Sequence, residues 1–317
     1  MDFATQRFLQ SIAIVHSANV CDWIQDLLFN RGRDAFAKRD VAAKEFFGNI
    51  PAAIGVSNGR FGQSDDLDDF VVDEVFDTPQ ESVRNADIVV LAMPIPQILE
   101  YIPLLGDCMK KGSTITDLGS IKESILKQSA TLPAEVFYIG SHPMAGTEKS
   151  GFYAAFPTLY ENADVFITPA QNAPQSSVDQ LFSLWECIGT HPSVIDAKHH
   201  DAIVARTSHV LHVLASALTT GILDARDSDT EAELFRGCAT GFRDTCRIAS
   251  SNPQMWREIV EHNREAVLDA LEEFDQIYNK FKQEIRDRDF DSFEKDFARG
   301  KLLRDRWLEY KKITQDE

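Results

Sequence analysis

The sequence predicts an α/β fold in two parts: a doubly wound α/β domain followed by an all-helical domain. Between residues 11 and 196, short apolar runs alternate with helical patterns, which indicates strands joined by helices in a mainly parallel sheet. After Asp196, the apolar residues recur only at helical spacing. These two observations place the domain boundary between residues 196 and 197, giving domains at 1–196 and 197–317.

The elements of the first domain follow from their apolar patterns. The run Ile88–Ala92 is continuously apolar, as expected for a strand that is covered on both faces of the sheet. Apolar residues at helical spacing indicate the helices between the strands. The predicted strands are 11–15, 33–41, 70–76, 86–92, 113–116, 136–139, 165–169 and 192–195. The predicted helices are 22–30, 97–105, one from about residue 122, and one around residues 181–185.

The second domain is predicted to contain helices alone. A helical domain that follows a nucleotide-type domain often carries dimer contacts, so we expect this part of the chain to be a dimerisation domain. We also expect a cleft between the two domains. The predicted helices are 199–223, 229–235, 253–286 and 291–312.

Composition excludes several classes of function. The net charge of −18 argues against nucleic-acid binding, and it means that an anionic substrate must be captured by local cations. We find no apolar run that could span a bilayer and no secretory signal, so no membrane contact is expected. The five cysteines are scattered, without a Cys-x-x-Cys pair, which favours a reduced, cytoplasmic protein without structural zinc.

The turn after the first strand departs from the dinucleotide-binding pattern Gly-x-Gly-x-x-Gly. His16, Ala18 and Cys21 occupy the three glycine positions, and their side chains would crowd the pyrophosphate and the helix that follows. The helix N-terminus still offers free N–H groups and a favourable dipole. Both outcomes, a retained and a lost dinucleotide, therefore stay open for this Rossmann-like domain, and so does the choice between NAD and NADP. The residues we assign to a bound cofactor are Ser17, Ala18, Asn19, Ala92, Met93 and Pro94.

A stretch rich in small residues, 140–151, carries the candidate general base, His142. It follows a predicted strand, which suits a rigid loop at the end of a sheet. A neutral imidazole accepts a proton near physiological pH, although a structural histidine that caps the loop is an equal alternative. Ser120 also follows a strand, so its hydroxyl could approach the same cleft or could cap the next helix.

Two later segments carry further candidates for substrate contact. Ser208, His209 and His212 fall on one helix face, where substrate contact, core packing and metal binding are all alternatives. A metal lacks an obvious third ligand there. Arg247 is suited to clamp a carboxylate through two parallel hydrogen bonds. Asp244 either orients Arg247 or pairs with it as a surface salt bridge.

Three segments together resemble the prephenate dehydrogenase family, which also takes arogenate and 4-amino-4-deoxyprephenate. They are 116–122 (Thr-Asp-Leu-Gly-Ser-Ile-Lys), 140–151 and 241–249 (Gly-Phe-Arg-Asp-Thr-Cys-Arg-Ile-Ala), within a similarity that extends from about 80 to 285. The resemblance implies a homodimeric oxidoreductase of tyrosine and aromatic amino acid biosynthesis that transfers hydride to NAD or NADP.

The resemblance also implies roles for individual residues. It makes His142 the base for the ring hydroxyl, assisted by Ser120, and Arg247 the carboxylate clamp. It places His209 and His212 at the side-chain end of the pocket, with Ser208 beside them. The remaining residues that it assigns to substrate binding are Thr147, Glu148 and Asp244.

The altered first turn motivates two alternatives to a dehydrogenase. In one, the protein is a cofactor-free enzyme that converts the same substrate by decarboxylative dehydration. In the other, it is a non-catalytic family member that has lost NAD binding and kept the pocket. We expect the dehydrogenase activity: oxidative decarboxylation of a small anionic cyclohexadiene with His142 as base.

Overall fold

The computed structural model describes residues 12–17, 52–57, 74–76, 78–146, 158–225 and 227–316. Its strands form one sheet in the order β3-β2-β1-β4-β5-β6-β7-β8. The strands are β1 (Ile12–Ser17), β2 (Ala52–Ser57), β3 (Glu74–Phe76), β4 (Ile88–Ala92), β5 (Thr114–Asp117), β6 (Phe137–Pro143), β7 (Asp164–Pro169) and β8 (His191–Val194). All neighbouring pairs are parallel except β6 and β7, which are antiparallel.

The helices of the described residues fall between and after these strands. Between strands lie α1 (Pro79–Ser82), α2 (Ile95–Gly106), α3 (Glu123–Gln128) and α4 (Gln175–Cys187). After β8 lie α5 (Ala197–Val204), α6 (Val210–Leu223), α7 (Ser228–Gly237), α8 (Thr240–Cys246), α9 (Pro253–His262), α10 (Arg264–Asp287) and α11 (Phe290–Asp316). The alternation followed by helices confirms the predicted Rossmann-like domain with an all-helical region after it.

Apolar clusters cover both faces of the sheet. Successive residues of β4 point to opposite faces, so alternate residues belong to different clusters. Ile88 and Val90 belong to one apolar cluster, which includes Leu181 and Trp185 of α4. Val89 and Leu91 belong to the other, which includes side chains of α2. All five residues of β4 are buried, which explains why this strand is continuously apolar in the sequence.

The strand order reverses direction beside β1. The chain runs outward from β1 to β2 and β3, and then returns to place β4 on the other side of β1. At such a switch point the loops after the two central strands diverge, which leaves a crevice at their carboxyl ends. The ends of β1 and β4 lie side by side there, with His16 opposite Ala92 in the strand register.

The sheet differs from the sequence-based prediction at β2 and at the end of β6. The predicted strand at 33–41 lies outside the described residues, whereas β2 at Ala52–Ser57 was not predicted. His142 was expected in a loop, and this expectation is wrong: β6 continues through it to Pro143. The extension follows from pairing with β7, where His142 lies opposite Phe166 and Pro143 opposite Val165.

The predicted helix 199–223 is interrupted by one π-helical turn, Ala205–His209, between α5 and α6. The predicted single helix 253–286 is wrong, because it divides at Asn263 into α9 and α10. Asn263 leaves helical geometry at φ −120° and ψ 30°, and its buried side chain binds two groups of the α5–π-turn segment. A tertiary contact therefore overrides the helical pattern at this residue.

The run Ala197–Leu223 has the length and hydropathy of a membrane-spanning helix, contrary to the sequence-based expectation that no run does. His200, Asp201 and His209 in its first half are nevertheless buried and hydrogen-bonded to other parts of the chain. Buried polar groups with specific protein partners are the pattern of a core helix. We therefore interpret the first half of this run, through His209, as part of the protein core.

The chain divides into two compact units, Met1–Asn263 and Arg264–Glu317. The first unit contains the sheet and the helices through α9. In the second unit, α10 and α11 pack on each other through Phe281 and Phe293, whose rings lie 5.6 Å apart. The predicted domain boundary at 196/197 describes a different division, and it stays a prediction.

Candidate active site

The candidate site is centred on His142, the next-to-last residue of β6. Its ring lies beside the start of α5, where Nδ1 of His142 is 2.8 Å from Nε2 of His200. The other ring nitrogen of His200, Nδ1, is 2.7 Å from Oδ1 of Asp201. His142, His200 and Asp201 thus form a continuous hydrogen-bonded chain, of which His200 and Asp201 are buried and His142 is partly exposed.

Asp201 is held in place by the start of α3. The backbone N–H of Lys122 donates to Oδ1 of Asp201 at 2.7 Å, and the N–H of Glu123 donates to Oδ2 at 2.9 Å. These are N–H groups at a helix N-terminus, which have no partner within the helix. The contact ties the loop after β5 to α5, although the two segments are far apart in the sequence.

A buried ion pair lies beside this contact. The ammonium of Lys122 contacts Asp117, the last residue of β5, and neither side chain is exposed. The Tyr138 hydroxyl donates to the other oxygen of Asp117 at 2.6 Å, and the Gly119 N–H donates to the first at 2.8 Å. Removing one partner of such a pair would leave an uncompensated buried charge, so the cluster is a strong constraint on the local structure.

Gly140 of β6 allows this cluster to pack closely. A Cβ atom added at Gly140 would lie 2.5 Å from Oγ1 of Thr168 and 2.6 Å from the Tyr138 hydroxyl. Both distances are shorter than real Cβ contacts, and a side chain would therefore displace the tyrosine from Asp117. The small residue in this stretch is required by packing in the strand rather than by a loop conformation.

The environment of His142 and His200 favours the neutral form of both imidazoles. Burial lowers the pKa of His142 well below its ordinary value, and the neighbouring His200, Lys122 and His209 lower it further. Burial also lowers the pKa of His200, although its hydrogen bond to Asp201 opposes that effect. Near pH 7, each imidazole therefore has one N–H donor and one free lone pair.

His209, at the end of the π turn, is buried and oriented by Asn263. The Asn263 side-chain amide donates to the Asp201 carbonyl oxygen at 2.9 Å and to Nδ1 of His209 at 3.1 Å. An amide N–H can only donate, so Nδ1 of His209 is the acceptor and its proton resides on Nε2. Burial lowers the pKa of His209 to about 4.

His212 has the opposite tautomer. Its Nδ1 is 2.9 Å from the Ser208 carbonyl oxygen, which can only accept, so this nitrogen carries the proton. The ring stacks on Trp256 of α9 with centroids 3.7 Å apart, and Trp256 also makes an edge contact with His209. Burial lowers the pKa of His212, and the positive charge of Arg247 lowers it further.

The arginine segment lies on α8 and on the 3₁₀ turn Arg247–Ser250 after it. Arg247 is exposed, and its charge acts on His212, which associates it with the histidine face. Nε of Arg243 lies 3.3 Å from Oδ1 of Asp244, with both side chains more than two thirds exposed. The structure thus pairs Asp244 with its neighbour Arg243.

The other predicted site residues are placed less completely. Ser120 is half-buried in the turn between β5 and α3, and it is not the helix N-cap, because Lys122 takes that position. Thr147 and Glu148 lie outside the described residues, as do Ala18 and Asn19. Ser17 ends β1 at the crevice, and Ala92, Met93 and Pro94 lie where β4 ends and α2 begins.

Several residues of this site were missed by sequence reasoning. His200 and Asp201 were considered only as the start of a helix, while Lys122, Trp256 and Asn263 were not singled out. A signal was present for Lys122, since a lysine two residues after Ser120 in a buried strand-to-helix turn needs a carboxylate partner. Asn263 sits in a continuous helical pattern, and only the folded chain reveals its role.

Comparisons with known proteins agree with this architecture. The family model for the prephenate dehydrogenase nucleotide-binding domain matches residues 51–194, and the model for the prephenate dehydrogenase dimerisation domain matches residues 196–299. The first match begins at residue 51, so β1 and the altered turn after it lie outside the matched residues.

Curated relatives and solved structures belong to the same group. A cyclohexadienyl dehydrogenase of Zymomonas mobilis is 33% identical over 233 residues, which cover 73% of this chain and 79% of the relative. A prephenate dehydrogenase of Bacillus subtilis is 33% identical over 238 residues, covering 74% of this chain but only 63% of its own length.

The fold is shared with a solved prephenate dehydrogenase from A. aeolicus in complex with hydroxyphenyl propionate and NAD+. Its TM-score is 0.78 at 23% identity, and the alignment covers 94% of this chain and 99% of that one. Synechocystis arogenate dehydrogenase gives a TM-score of 0.74 at 22% identity over the same shares. With both family models matched over most of its length, the chain is a member of the prephenate dehydrogenase family of oxidoreductases.

Proposed function

We propose that this protein catalyses the NAD(P)-dependent oxidative decarboxylation of prephenate or of its close analogues, arogenate and 4-amino-4-deoxyprephenate. The observation that carries the proposal is the neutral His142, whose Nδ1 is hydrogen-bonded to His200. Its second ring nitrogen, Nε2, is left to act on a substrate. Family membership and the dehydrogenase names of the relatives support the same reaction.

The reaction requires one proton acceptor on the protein. The ring carbinol of prephenate or arogenate loses its hydroxyl proton to Nε2 of His142 while a hydride leaves the same carbon. The resulting ketone then loses carbon dioxide from the ring carbon opposite it, and the electron pair of the broken bond completes the aromatic ring. The phenolate oxygen takes back a proton, so the products from prephenate are 4-hydroxyphenylpyruvate, carbon dioxide and the reduced nucleotide.

The fold provides a place for the nucleotide at the switch point. The crevice lies where β1 and β4 end side by side, and the peptide groups of Ala92, Met93 and Pro94 line the start of α2 there. A crevice of this kind supports the binding of a dinucleotide, and we assign its contacts to Ser17, Ala92, Met93 and Pro94. When bound, the nicotinamide supplies the acceptor for the hydride. NAD and NADP are both compatible with these residues.

Substrate capture falls to Arg247. The chain carries a net charge of −18, so a dianionic substrate needs a local cation. Arg247 is an exposed guanidinium whose charge reaches His212, and a guanidinium can bind a carboxylate through two hydrogen bonds. We assign His209 and His212 to the wall beside it, with Ser120 next to the hydroxyl. Thr147 and Glu148 remain predicted contacts, and Asp244, which the structure pairs with Arg243, remains a predicted but weak one.

The comparisons do not support the two alternatives raised by the altered turn. A direct test is to incubate the purified protein with prephenate in the presence of NAD, of NADP, or of neither, and to identify products by chromatography. We expect 4-hydroxyphenylpyruvate only where a nucleotide is present. The same three tubes with arogenate, and then with 4-amino-4-deoxyprephenate, identify the preferred substrate.

The opposite results are equally distinct. Phenylpyruvate formed without nucleotide, above the uncatalysed background, would show decarboxylative dehydration and overturn the dehydrogenase assignment. Substrate binding without any product in the nine tubes would point to a non-catalytic member of the family. Equal rates with NAD and NADP would leave the reaction intact and show that the site does not select between them.

We also propose that the protein is a homodimer and that it works in the cytoplasm. The dimerisation-domain model matches residues 196–299, and large apolar side chains on α10 and α11 are more than half exposed in the single chain. Among them are Ile277, Tyr278, Phe297 and Trp307. Light scattering after size-exclusion chromatography should give twice the chain mass of 35.6 kDa. A mass of one chain would contradict the dimer.

A further inference from the structure

We infer that His200 and Asp201 are positioning residues that hold His142 in the one tautomer able to act as a base. The inference rests on the proposed function, since it concerns the residue that accepts the substrate proton. The hydrogen bonds that begin at Asp201 place the lone pair of neutral His142 on Nε2 rather than on Nδ1.

Asp201 determines which atoms donate and which accept along these hydrogen bonds. It faces three nitrogen atoms: the backbone nitrogens of Lys122 and Glu123, and Nδ1 of His200. The backbone groups can only donate, so both carboxylate oxygens act as acceptors. An ionised carboxylate satisfies all three donors at once, while a protonated carboxyl group would place a second hydrogen against one of them. The ammonium of Lys122 adds an attractive charge nearby.

His200 has its tautomer fixed by Asp201. Because Asp201 accepts, Nδ1 of His200 carries the proton, and the lone pair of the neutral ring is on Nε2. His200 is fully buried, and Phe166 of β7 contacts its ring edge-on at 5.6 Å between centroids. The ring therefore cannot turn to exchange its two nitrogens without disrupting the packing between β7 and α5.

The hydrogen bond to His200 fixes the tautomer of His142. Nε2 of His200 is an acceptor, so Nδ1 of His142 must be the donor across the 2.8 Å contact. The proton of neutral His142 is thereby fixed on Nδ1, and its lone pair is on Nε2. In the reverse tautomer the two lone pairs would face each other across the same gap. A free imidazole has no such constraint, and it would spend part of its time with Nε2 already protonated.

The same chain also accommodates the product of proton transfer. When Nε2 of His142 accepts the substrate proton, the ring becomes a cation whose Nδ1–H points toward His200 and, through it, toward the Asp201 carboxylate. The other charged or titratable groups that act on His142 are Lys122 at the start of α3 and His209 in the π turn. Both oppose the cation, and the Asp201 carboxylate, which is hydrogen-bonded to His200, is the group we expect to offset them.

The test compares two substitutions at His200, one that removes the hydrogen-bond acceptor for His142 and one that keeps it. His200→Phe retains a ring of similar size but offers no acceptor to His142. His200→Gln can place its carbonyl oxygen where Nε2 was, so it keeps the acceptor and loses only the connection to Asp201. We expect kcat to fall about 100-fold in the phenylalanine variant and about 10-fold in the glutamine variant, with KM changed less than about 3-fold in both, within the range of general-base catalysis.

A matched control is available on the same helix. His199 is the exposed neighbour of His200, and its side chain has no part in the chain of hydrogen bonds. His199→Phe should therefore leave kcat unchanged. Circular dichroism and thermal unfolding of all three variants separate loss of positioning from loss of fold.

A second measurement reads the tautomer itself and does not depend on turnover. In protein labelled with ¹⁵N at histidine, the two ring nitrogens of His142 should show a protonated Nδ1 and an unprotonated Nε2 at pH 7. In His200→Phe the two signals should move toward each other as both tautomers become populated. His142→Asn identifies the resonances by their disappearance.

The outcomes distinguish this inference from the proposed function. If the wild type turns over its substrate and folded His200→Phe keeps full kcat, the positioning role is wrong and the reaction stands. Wild-type His142 with its proton on Nε2 would overturn the role independently of any activity. If the wild type shows no turnover with any substrate, the proposed function fails, while the ring signals still decide the tautomer.

Discussion

The two sides of the candidate site are built differently. On one side, His142, His200 and Asp201 are joined by short hydrogen bonds and anchored to the start of α3. On the other, Arg243 and Asp244 of α8 are largely exposed, and so is Arg247 just after it. The first side is complete before any ligand arrives, whereas the charged side chains of the second are exposed at the surface.

This difference corresponds to what each side must do. A general base has to be unprotonated and in the correct tautomer at the moment of proton transfer, so its environment must be fixed in advance. A cation that captures a dianion from solution gains from exposure, because its field must reach the ligand and its side chain must adjust to it. Substitutions on the first side should therefore lower kcat, and those on the second should raise KM.

The largest effect is expected from His142→Asn. We expect kcat to fall about 10³-fold, because asparagine cannot accept the hydroxyl proton, while substrate affinity measured by calorimetry stays within about 3-fold of the wild type. His191→Asn, an exposed histidine on β8, is the control and should behave as the wild type. Normal turnover in His142→Asn would show that the base is another residue.

Arg247→Ala should produce the complementary result. Loss of a charge-assisted, two-point contact is expected to raise KM by about 100-fold with a much smaller change in kcat. Arg247→Lys should restore part of the affinity, because it keeps the charge without the fork. Arg257→Ala, which removes an exposed arginine of α9, serves as the control. A fall in kcat with KM unchanged would contradict the role of Arg247 in substrate capture.

The burial of His209 should also affect the stability of the protein against acid. His209 has a pKa of about 4 in the folded chain against 6.5 for a free histidine, so the unfolded state binds more protons below pH 6.5. Stability is therefore retained above pH 6.5 and falls as the pH decreases toward 4, by about 3 kcal/mol from this residue.

The measurement is urea unfolding at pH 7 and pH 4 for the wild type and for His209→Gln. The variant should be less stable at pH 7, since it loses its buried contact with Asn263, but its decrease toward pH 4 should be smaller by about 3 kcal/mol. His199→Gln should leave the decrease unchanged. An equal decrease in the wild type and His209→Gln would mean that His209 is not kept neutral by burial.

The smallest effect is expected from Asp244→Ala. The structure pairs Asp244 with Arg243 on an exposed surface, where such pairs contribute about 0–1 kcal/mol. We therefore expect KM and kcat to change less than about 3-fold. A loss comparable to that of Arg247→Ala would show that Asp244 turns toward Arg247 once substrate binds, as the sequence analysis allowed.

The fold was largely predictable because its signals are local. The buried strand β4 is continuously apolar, and the alternation of strands and helices is visible in residue order. His142 was identified from its neighbours in the sequence, but its setting was not. The sequence suggested a loop, and the pairing of β6 with β7 makes it a strand residue.

The second half of the site depended on contacts between distant segments. His200 lies 58 residues from His142, and the Lys122 backbone meets Asp201 across 79 residues. Read alone, His200 and Asp201 begin a helix, and Asn263 belongs to a long helical pattern. Neither sequence pattern contains the information that these groups meet, because hydrogen bonding across the fold is decided by which strand ends lie beside which helix.

By itself, the sequence determined the class of fold and the family resemblance, and it singled out His142 as the candidate base. These follow from apolar periodicity and from short motifs, in which neighbouring residues act together. The tertiary structure decided how that base is held: the tautomer of His142, the neutral state of His209 and the break at Asn263. The physical reason is that a proton's position on an imidazole, and the cost of charging it, depend on the groups that surround the ring in space.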